Sequence, residues 1–329
     1  MESSSIPGKK GEDRAGSSMM AWRVHEFGPP EVMSFEHVPR PIPDGGEVLI
    51  KVQAAGVGPW DAWIRAGNSA LPQPLPLTLG SDLSGEIMSV GPGVSTLKVG
   101  EQVYGVTNPR FTGAYAEYAL ANGAMVARKP SSITHVQSAS VPVIAVTAWQ
   151  ALFEQAKLTA GQSVLIHGAA GNVGAYAVQF AHGAGLHIIA TATADDISFV
   201  RDLGADIAID FRTHRFEKEV RDVDAVIDLV GGETQERSFQ VVRQGGKLIS
   251  TVSQPDQAVA QSHGIEAAFF LVNVTTSCLV QIAEMIDAGT VRTNVGAVLP
   301  LSEARDAHLM LDGKLARPKG KIVLTVTAG

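Results

Sequence analysis

From Ala21 to about Val143 the apolar positions alternate with polar ones or gather in short β-branched runs, punctuated by Pro and Gly in GPPE, PIPDGG and GPGV. That pattern predicts a mostly β region. In Glu47 to Val57 the residues Val48, Ile50, Val52 and Ala54 fall on one face, as in a half-buried strand. Further strands are expected at Gly85 to Val90, Gln102 to Val106 and Ala114 to Leu120, with Gly100 and Gly105 between them, so the region reads as a compact barrel-like domain.

After Pro142 the pattern changes. Ala145 to Lys157 has helical spacing, and from Ser163 onward short continuous apolar runs alternate with helix-length amphipathic stretches. VLIHG at 164–168, HIIAT at 187–191, DIAID at 206–210, DAVIDLV at 224–230 and KLISTV at 247–252 predict strands buried on both faces. Repeated βα units of this kind build a doubly wound parallel sheet. A sixth run, AAFFLVNV at 267–274, would be an apolar edge if left unpaired, so the same strand of a second subunit is expected to cover it. A helix from about Thr276 to Ala288, a second helix from Ser302 and a strand KIVLTV at 321–326 then return to the first domain. The expected division is a flexible tail at 1–19, a β domain at 20–143 and 275–329, and a nucleotide-type domain at 144–274 inserted into it.

Composition narrows the function. A chain of 329 residues, 45% hydrophobic and 18% charged, is that of a globular protein of roughly two domains. Its net charge of −7 and lack of a basic block argue against nucleic acid as the main partner. No run of about 18 apolar residues suits a membrane span. The first 18 residues lack an apolar core and read as a tail rather than a signal peptide, so a cytoplasmic location is expected. The single cysteine, Cys278, excludes a disulfide framework and any site of several thiolates.

The strongest chemical signal is VLIHGAAGNVGAYAVQFAHGAG at 164–185. A buried strand enters a glycine-rich turn and then a helix with Val173, Ala177, Val178 and Ala181 on its apolar face. Against the dinucleotide pattern G-x-G-x-x-G, Ala169 stands in the first place and Gly171 and Gly174 in the others. Gly171 lets backbone approach a pyrophosphate, Gly174 lets the helix lie close to the strand, and the amides of Asn172 and Val173 face the anion at the positive helix end. The whole turn from Ala169 and Ala170 to Gly174 is thus a cofactor seat. An NAD site usually places an acid about 20 residues on, but Thr191, Ala192 and Thr193 stand there. Two hydroxyls in place of a carboxylate favour NADPH over NADH, with Arg212 and Lys319 as basic groups for its 2′-phosphate. Asp195 and Asp196 read as helix N-terminal residues.

At this point the chain resembles the zinc-independent quinone oxidoreductase branch, zeta-crystallin-like, of the medium-chain dehydrogenase/reductase superfamily. The resemblance runs from Met20 to Ala328 and rests on AAGVGPWDAWIRAG (54–67), LGSDLSGEI (79–87), GAYAEYA (113–119), TAWQAL (147–152), HGAAGNVG (167–174), LGADIAID (203–210), DLVGG (228–232), GGKLIS (245–250) and GKIVL (320–324). It implies a GroES-like catalytic domain with an inserted Rossmann domain, a dimer joined through the last Rossmann strands, and hydride transfer from NADPH. It also implies that Thr147 lies near the nicotinamide, Val230 and Gly231 near its ribose, Ser253 by the fifth strand end, Phe270, Leu271 and Val272 beside the nicotinamide amide, and Phe211 near the adenine.

In zinc alcohol dehydrogenases of this superfamily a Cys follows a GV pair and a GHE supplies His and Glu. The corresponding positions here are Gly58 and Gly80-Ser81-Asp82, and Gly and Ser cannot replace those zinc ligands, so no metal is expected. Neither H-E-x-x-H nor G-x-S-x-G occurs, and His167 reads as a packed, hydrogen-bonded residue. Without a metal, reduced nicotinamide suits an acceptor that is already electrophilic, a quinone or an α,β-unsaturated carbonyl. Expected pocket residues are Gly58, Trp60, Asp61, Asn108 and Phe111 of a loop at 104–111, and Phe270, with Trp63 rather in the core. Relatives often carry Asn at the position of Gly58 or a Tyr proton donor in this segment. Neither carries over, and no general acid is assigned. Alternatives are an enoyl-thioester reductase and a non-catalytic NADPH-binding sensor or structural protein.

Overall fold

The computed structural model describes residues 18–326; residues 1–17, nearly all of the expected tail, and 327–329 lie outside the described residues. Ser18 and Met19 already belong to strand β1 (Ser18–Val24), which pairs antiparallel with β2 (Met33–Pro39). There follow β3 (Glu47–Val57), helix α1 (Pro59–Arg65), β4 (Leu77–Thr78), β5 (Asp82–Val90), β6 (Gln102–Val106), β7 (Tyr118–Asn122) and β8 (Val126–Arg128). The strand expected at 114–120 lies later, because residues 115–117 face β1 instead: Trp22 N donates to Tyr115 O at 2.9 Å and Glu117 N to Met20 O at 3.1 Å. In β3 the half-buried alternation holds only from Ile50 to Ala54; Val48 to Ile50 are all buried, and so are Ala54 to Val57, where helix α2 (His135–Ala139) covers Ala54.

Helix α3 (Pro142–Trp149), extended by a wide turn to Gln155, leads into the second sheet. Its parallel strands are β9 (Ser163–His167), β10 (His187–Ala192), β11 (Ile207–Asp210), β12 (Val223–Asp228), β13 (Val242–Ser250) and β14 (Glu266–Phe269), in the order β11-β10-β9-β12-β13-β14. Val164, Leu165 and Ile166 of β9 are wholly buried, as a central strand covered on both faces requires. The order reverses between β9 and β12, and a ligand crevice forms beyond the strand ends at such a switch. Helix α4 (Asn172–Gly183) packs Ala175, Val178 and Phe180 beneath the sheet.

The last strand is shorter than the apolar run at 267–274. β14 ends at Phe269; Phe270 N still reaches Ser250 O at 3.3 Å, but Asn273 N then donates to Gln150 Oε1 at 3.0 Å and draws the chain back over the α3 side. The helix Thr276–Asp287 places Cys278, Leu279 and Ile282 in the core shared with α3 and α4, while Thr276 Oγ1 donates to Val126 O at 2.8 Å and binds it to β8 as well. Strand β15 (Val295–Pro300), unmarked by the sequence pattern, is an edge strand with no fully buried residue. It pairs parallel with β16 (Lys321–Thr325), which lies antiparallel to β3 in the register Ile322↔Val57. The C-terminal strands thus join β3, β5, β6, β7 and β8 in one sheet, while β1, β2 and β4 form a separate three-stranded sheet, and the Rossmann sheet is inserted between β8 and β15 in the chain.

Helix α1 is tied to the crossover helix Ala304–Leu311 by buried Arg65. Its Nη1 donates to His308 Nδ1 at 2.8 Å, its Nη2 to the Asp312 carboxylate at 3.0 Å and its Nε to Gly28 O at 3.1 Å. Because arginine only donates, the His308 proton sits on Nε2. Burial, with Arg65 adding repulsion, holds His308 down at about 3. The unfolded imidazole binds a proton below about pH 6.5 and the folded one does not, so this site costs stability as pH falls through that value. Between pH 7.5 and 5 the wild type should lose about 2 kcal/mol more than His308→Gln, which keeps an acceptor for Arg65 but does not titrate. Urea unfolding at the two pH values checks this; equal losses would contradict it.

Candidate cofactor and acceptor site

The cofactor end grows out of the β9–α4 turn. Gly168 has φ of +68°, a left-handed conformation, and Gly171 precedes the first turn of α4. A Cβ at Gly174 would stand 2.7 Å from Ala169 Cα, and one at Gly171 would stand 3.1 Å from Gly168 O. Helix and strand therefore meet at a distance only glycine permits at position 174. The unpaired first amides of α4 and the positive end of its dipole suit an anion beside Asn172 and Val173. Ala169 N donates to Thr191 O at 3.1 Å and clamps the turn to β10. The residues present fit a dinucleotide pyrophosphate.

His167 is 1% exposed and lies between two hydroxyls, Thr191 Oγ1 and Ser238 Oγ, each at 3.0 Å. Ser238 donates its own proton to Thr234 O, so His167 donates from Nε2 and accepts from Thr191 at Nδ1. Burial lowers His167 to about 4. It is a packed residue, as expected, but it uses the Thr191 proton, so Thr191 supports the strand end from within. Thr193 is half-buried and donates to Asp196 Oδ2 at 2.8 Å, while Lys319 Nζ meets Asp196 Oδ1 at 2.6 Å. Asp195 and Asp196 stand at the start of the helix Ile197–Asp202, as expected, although Asp196 makes no side-chain cap there; burial pushes its carboxyl up, but Lys319, Thr193 and Arg212 outweigh that and hold it low. Phe211, 54% exposed, follows β11 beside this group, and its amide donates to Ala192 O at 3.2 Å.

At the other end of the crevice the organising residue is Asp228, which the sequence analysis passed over. It is fully buried at the end of β12: Oδ1 accepts from the amides of Val230 at 3.0 Å and Gly231 at 2.8 Å, and Oδ2 from Ser250 Oγ and Gln235 Nε2, each at 2.9 Å. Gln235 also donates to Ser253 Oγ at 3.1 Å, so one carboxylate sets both turns that carry Val230, Gly231 and Ser253. Thr147 lies on α3 with its hydroxyl donating to Val143 O at 2.7 Å. Phe270 and Val272 pack against the core, whereas Leu271 is exposed.

The acceptor side is built where three neighbouring strands end together. The registers Ile322↔Val57 and Ala55↔Leu83 bring Lys321 of β16, Gly58 after β3 and Asp82 of β5 to one end of the sheet. Lys321 Nζ donates to Asp82 Oδ2 at 2.9 Å, with both side chains at most 1% exposed, and Asp82 Oδ1 accepts the Val143 amide at the start of α3 at 3.1 Å. Trp60 Nε1 donates to Ser81 Oγ at 2.9 Å, and the Lys321 ammonium lies 4.3 Å from the centre of the indole. The ring folds over Gly58, where an added Cβ would lie 2.5 Å from its Cζ3. Asp61 is fully buried and accepts from Gly58 N at 2.8 Å and Tyr115 OH at 3.0 Å; burial raises its carboxyl to about 7. It anchors the start of α1.

Trp60 and Phe111, the latter at φ +60°, pack against the cores of both domains. Asn108 spends its amide inside its own loop, donating to Thr112 O at 2.7 Å and accepting from Arg110 N at 2.9 Å. That loop starts only after β6, because Tyr104 is a core residue whose hydroxyl donates to Leu279 O at 2.5 Å. Trp63 is 54% exposed, not in the core as expected, since it faces outward from α1. Cys278 is buried and its thiol is pushed up to about 12, which leaves it inert. Among the described residues no three His, Cys, Asp or Glu converge as metal ligands, and no helix is long and apolar enough to cross a membrane.

The alcohol dehydrogenase GroES-like domain family matches residues 44–131, and the zinc-binding dehydrogenase family matches residues 203–324. Human NAD(P)H oxidoreductase RTN4IP1, mitochondrial, is 31% identical over 94% of this chain and 89% of its own. The mitochondrial location in that relative's name lends the expected cytoplasmic one no support. Human quinone oxidoreductase is 33% identical over 88% of this chain and 93% of its own. The solved quinone oxidoreductase of Coxiella burnetii superposes with a TM-score of 0.86 at 32% identity, covering 94% of this chain and 100% of that one. With the GroES-like sheet, the inserted Rossmann sheet and the glycine turn in place, the chain belongs to the quinone oxidoreductases of the medium-chain dehydrogenase/reductase superfamily.

Proposed function

We propose that the protein is an NADPH-dependent oxidoreductase that reduces a quinone or another activated α,β-unsaturated carbonyl without zinc. One observation carries the reading: the chain holds a close glycine turn at the switch point of its parallel sheet, while the strand ends at Gly58 and Ser81 offer neither thiolate nor imidazole. When bound, reduced nicotinamide supplies hydride. The chain's own residues hold the pyrophosphate at α4, fix the turns at 229–231 and 250–253 through Asp228, and exclude water with Trp60, Phe111 and Phe270. An acceptor that is already electrophilic needs little more than position and a dry site. The likeness to proteins named quinone oxidoreductase supports the same acceptor class.

The choice of NADPH rests on the end of β10, where Thr193 stands in place of a ribose-binding acid and the nearby Asp196 is already neutralised by Lys319. Lys319 and the exposed Arg212 are the cations that would meet a 2′-phosphate. A second copy of the chain would cover β14, the last strand of its sheet, whose outer side carries no strand among the described residues.

NADPH oxidation with an ortho-quinone and a simple enone, and not with an acyl thioester, is the expected activity profile. kcat/KM should favour NADPH over NADH by at least tenfold, and Lys319→Ala with Arg212→Ala should erase most of that preference without weakening NADH. Equal or better rates with NADH would refute the cofactor choice, and tight NADPH binding with no turnover on any acceptor would refute the enzymatic reading. Gly174→Ala should raise the cofactor Kd at least tenfold and lower Tm, because the new methyl forces α4 away from the turn. Calorimetric titration checks this, and an unchanged Kd would contradict the seat assigned to the pyrophosphate.

A further inference from the structure

The cluster at the three strand ends does more than hold the sheet. The indole of Trp60 is fixed on three sides: its Nε1 is bonded to Ser81 Oγ at 2.9 Å, the Lys321 ammonium sits 4.3 Å from its centre, and its six-membered ring lies over Gly58 where no side chain fits beneath it. Lys321 is itself fixed by Asp82 at 2.9 Å. The ring is only partly buried and packs against the cores of both domains, so part of its surface is left free of protein contact. A large aromatic side chain held this rigidly, beside a backbone position with no side chain, presents a flat surface of fixed depth.

We propose that Trp60 is the specificity-determining residue for planar acceptors, that Gly58 gives its ring room to lie flat, and that Lys321 is the residue that positions it. This inference rests on the reductase reading above for the identity of the ligand. With the ammonium under one face, the opposite face takes the acceptor ring by stacking. A polycyclic quinone gains from that contact, whereas a small non-aromatic enone has little surface to offer it. The Lys321 charge acts through the indole, by a cation–π contact in a dry site, and does not touch the acceptor.

The test measures binding to protein loaded with NADP+, so that no turnover is needed, using 9,10-phenanthrenequinone and cyclohex-2-en-1-one as probes. Trp60→Ala should raise the Kd of phenanthrenequinone at least tenfold and that of cyclohexenone less than threefold, with NADP+ affinity unchanged. Trp60→Phe should restore phenanthrenequinone binding to within threefold of wild type. Gly58→Ala should weaken phenanthrenequinone in the wild-type background and add nothing in the Trp60→Ala background, because the displaced ring is then gone. Since Lys321→Met alone strands a buried carboxylate, Lys321→Met is combined with Asp82→Asn, and a fivefold or greater weakening selective for phenanthrenequinone is expected. Equal effects on both probes, additive effects of the Gly58 and Trp60 changes, or no binding of phenanthrenequinone by wild type would overturn the proposal. If wild type binds phenanthrenequinone through Trp60 but reduces no acceptor, the reductase reading fails while the platform stands. Turnover without the Trp60-dependent selectivity is the reverse outcome and overturns the platform alone.

Discussion

The buried pair of Lys321 and Asp82 is the constraint on which the arrangement of the molecule depends. An ammonium and a carboxylate at most 1% exposed are expensive to desolvate, and removing one partner typically costs about 3–5 kcal/mol. Burial drives the Asp82 carboxyl upward while the neighbouring ammonium opposes it. The pair joins residues 239 apart in the chain, and the second Asp82 oxygen takes the Val143 amide at the start of α3 into the same bond network. One contact therefore fastens the C-terminal strand to the N-terminal sheet and both to the helix that begins the Rossmann domain.

The two halves of the site are held by the same kind of device, a buried carboxylate that accepts from backbone amides. Asp228 gathers the turns beyond β12 and β13, Asp61 gathers Gly58 and Tyr115, and Asp82 gathers Val143 and Lys321. Each arrangement fixes a loop end with groups that lie behind the crevice and not in it. On the proposed reading, apart from Lys319 and Arg212 at the 2′-phosphate end, the groups left to face ligands are glycine backbone, aromatic rings and hydroxyls. Such a lining binds and orients, and it leaves the bond-making chemistry to the cofactor.

The Rossmann strands were readable because a central parallel strand is apolar on both faces, so VLIH and AVID stand out as continuous runs. The glycine turn was readable because backbone contact at Gly174 allows no alternative residue. Edge elements were less so. β15 keeps no buried side chain and carries Gly296 and Pro300, so its pattern is that of a loop, and β14 stops at Phe269 because the following apolar residues turn onto the core. The acceptor side was half readable: Gly58 and Trp60 were visible as departures from a family pattern. The roles of Ser81, Asp82 and Lys321 depend on three strand ends meeting, and no local spacing records that. Trp63 was misjudged because a short helix offers too few turns to tell its inner face from its outer one.

On the proposed reading this fold carries out reduction with its nicotinamide cofactor alone, with Gly58 and Ser81 at the positions where zinc-dependent relatives carry metal ligands. The direct measurement is NADPH-dependent reduction of 9,10-phenanthrenequinone by protein taken through exhaustive chelation, with bound zinc determined on the same sample. Undiminished turnover at less than about 0.1 zinc per chain is the predicted result. Activity lost on chelation and restored by added zinc would contradict it.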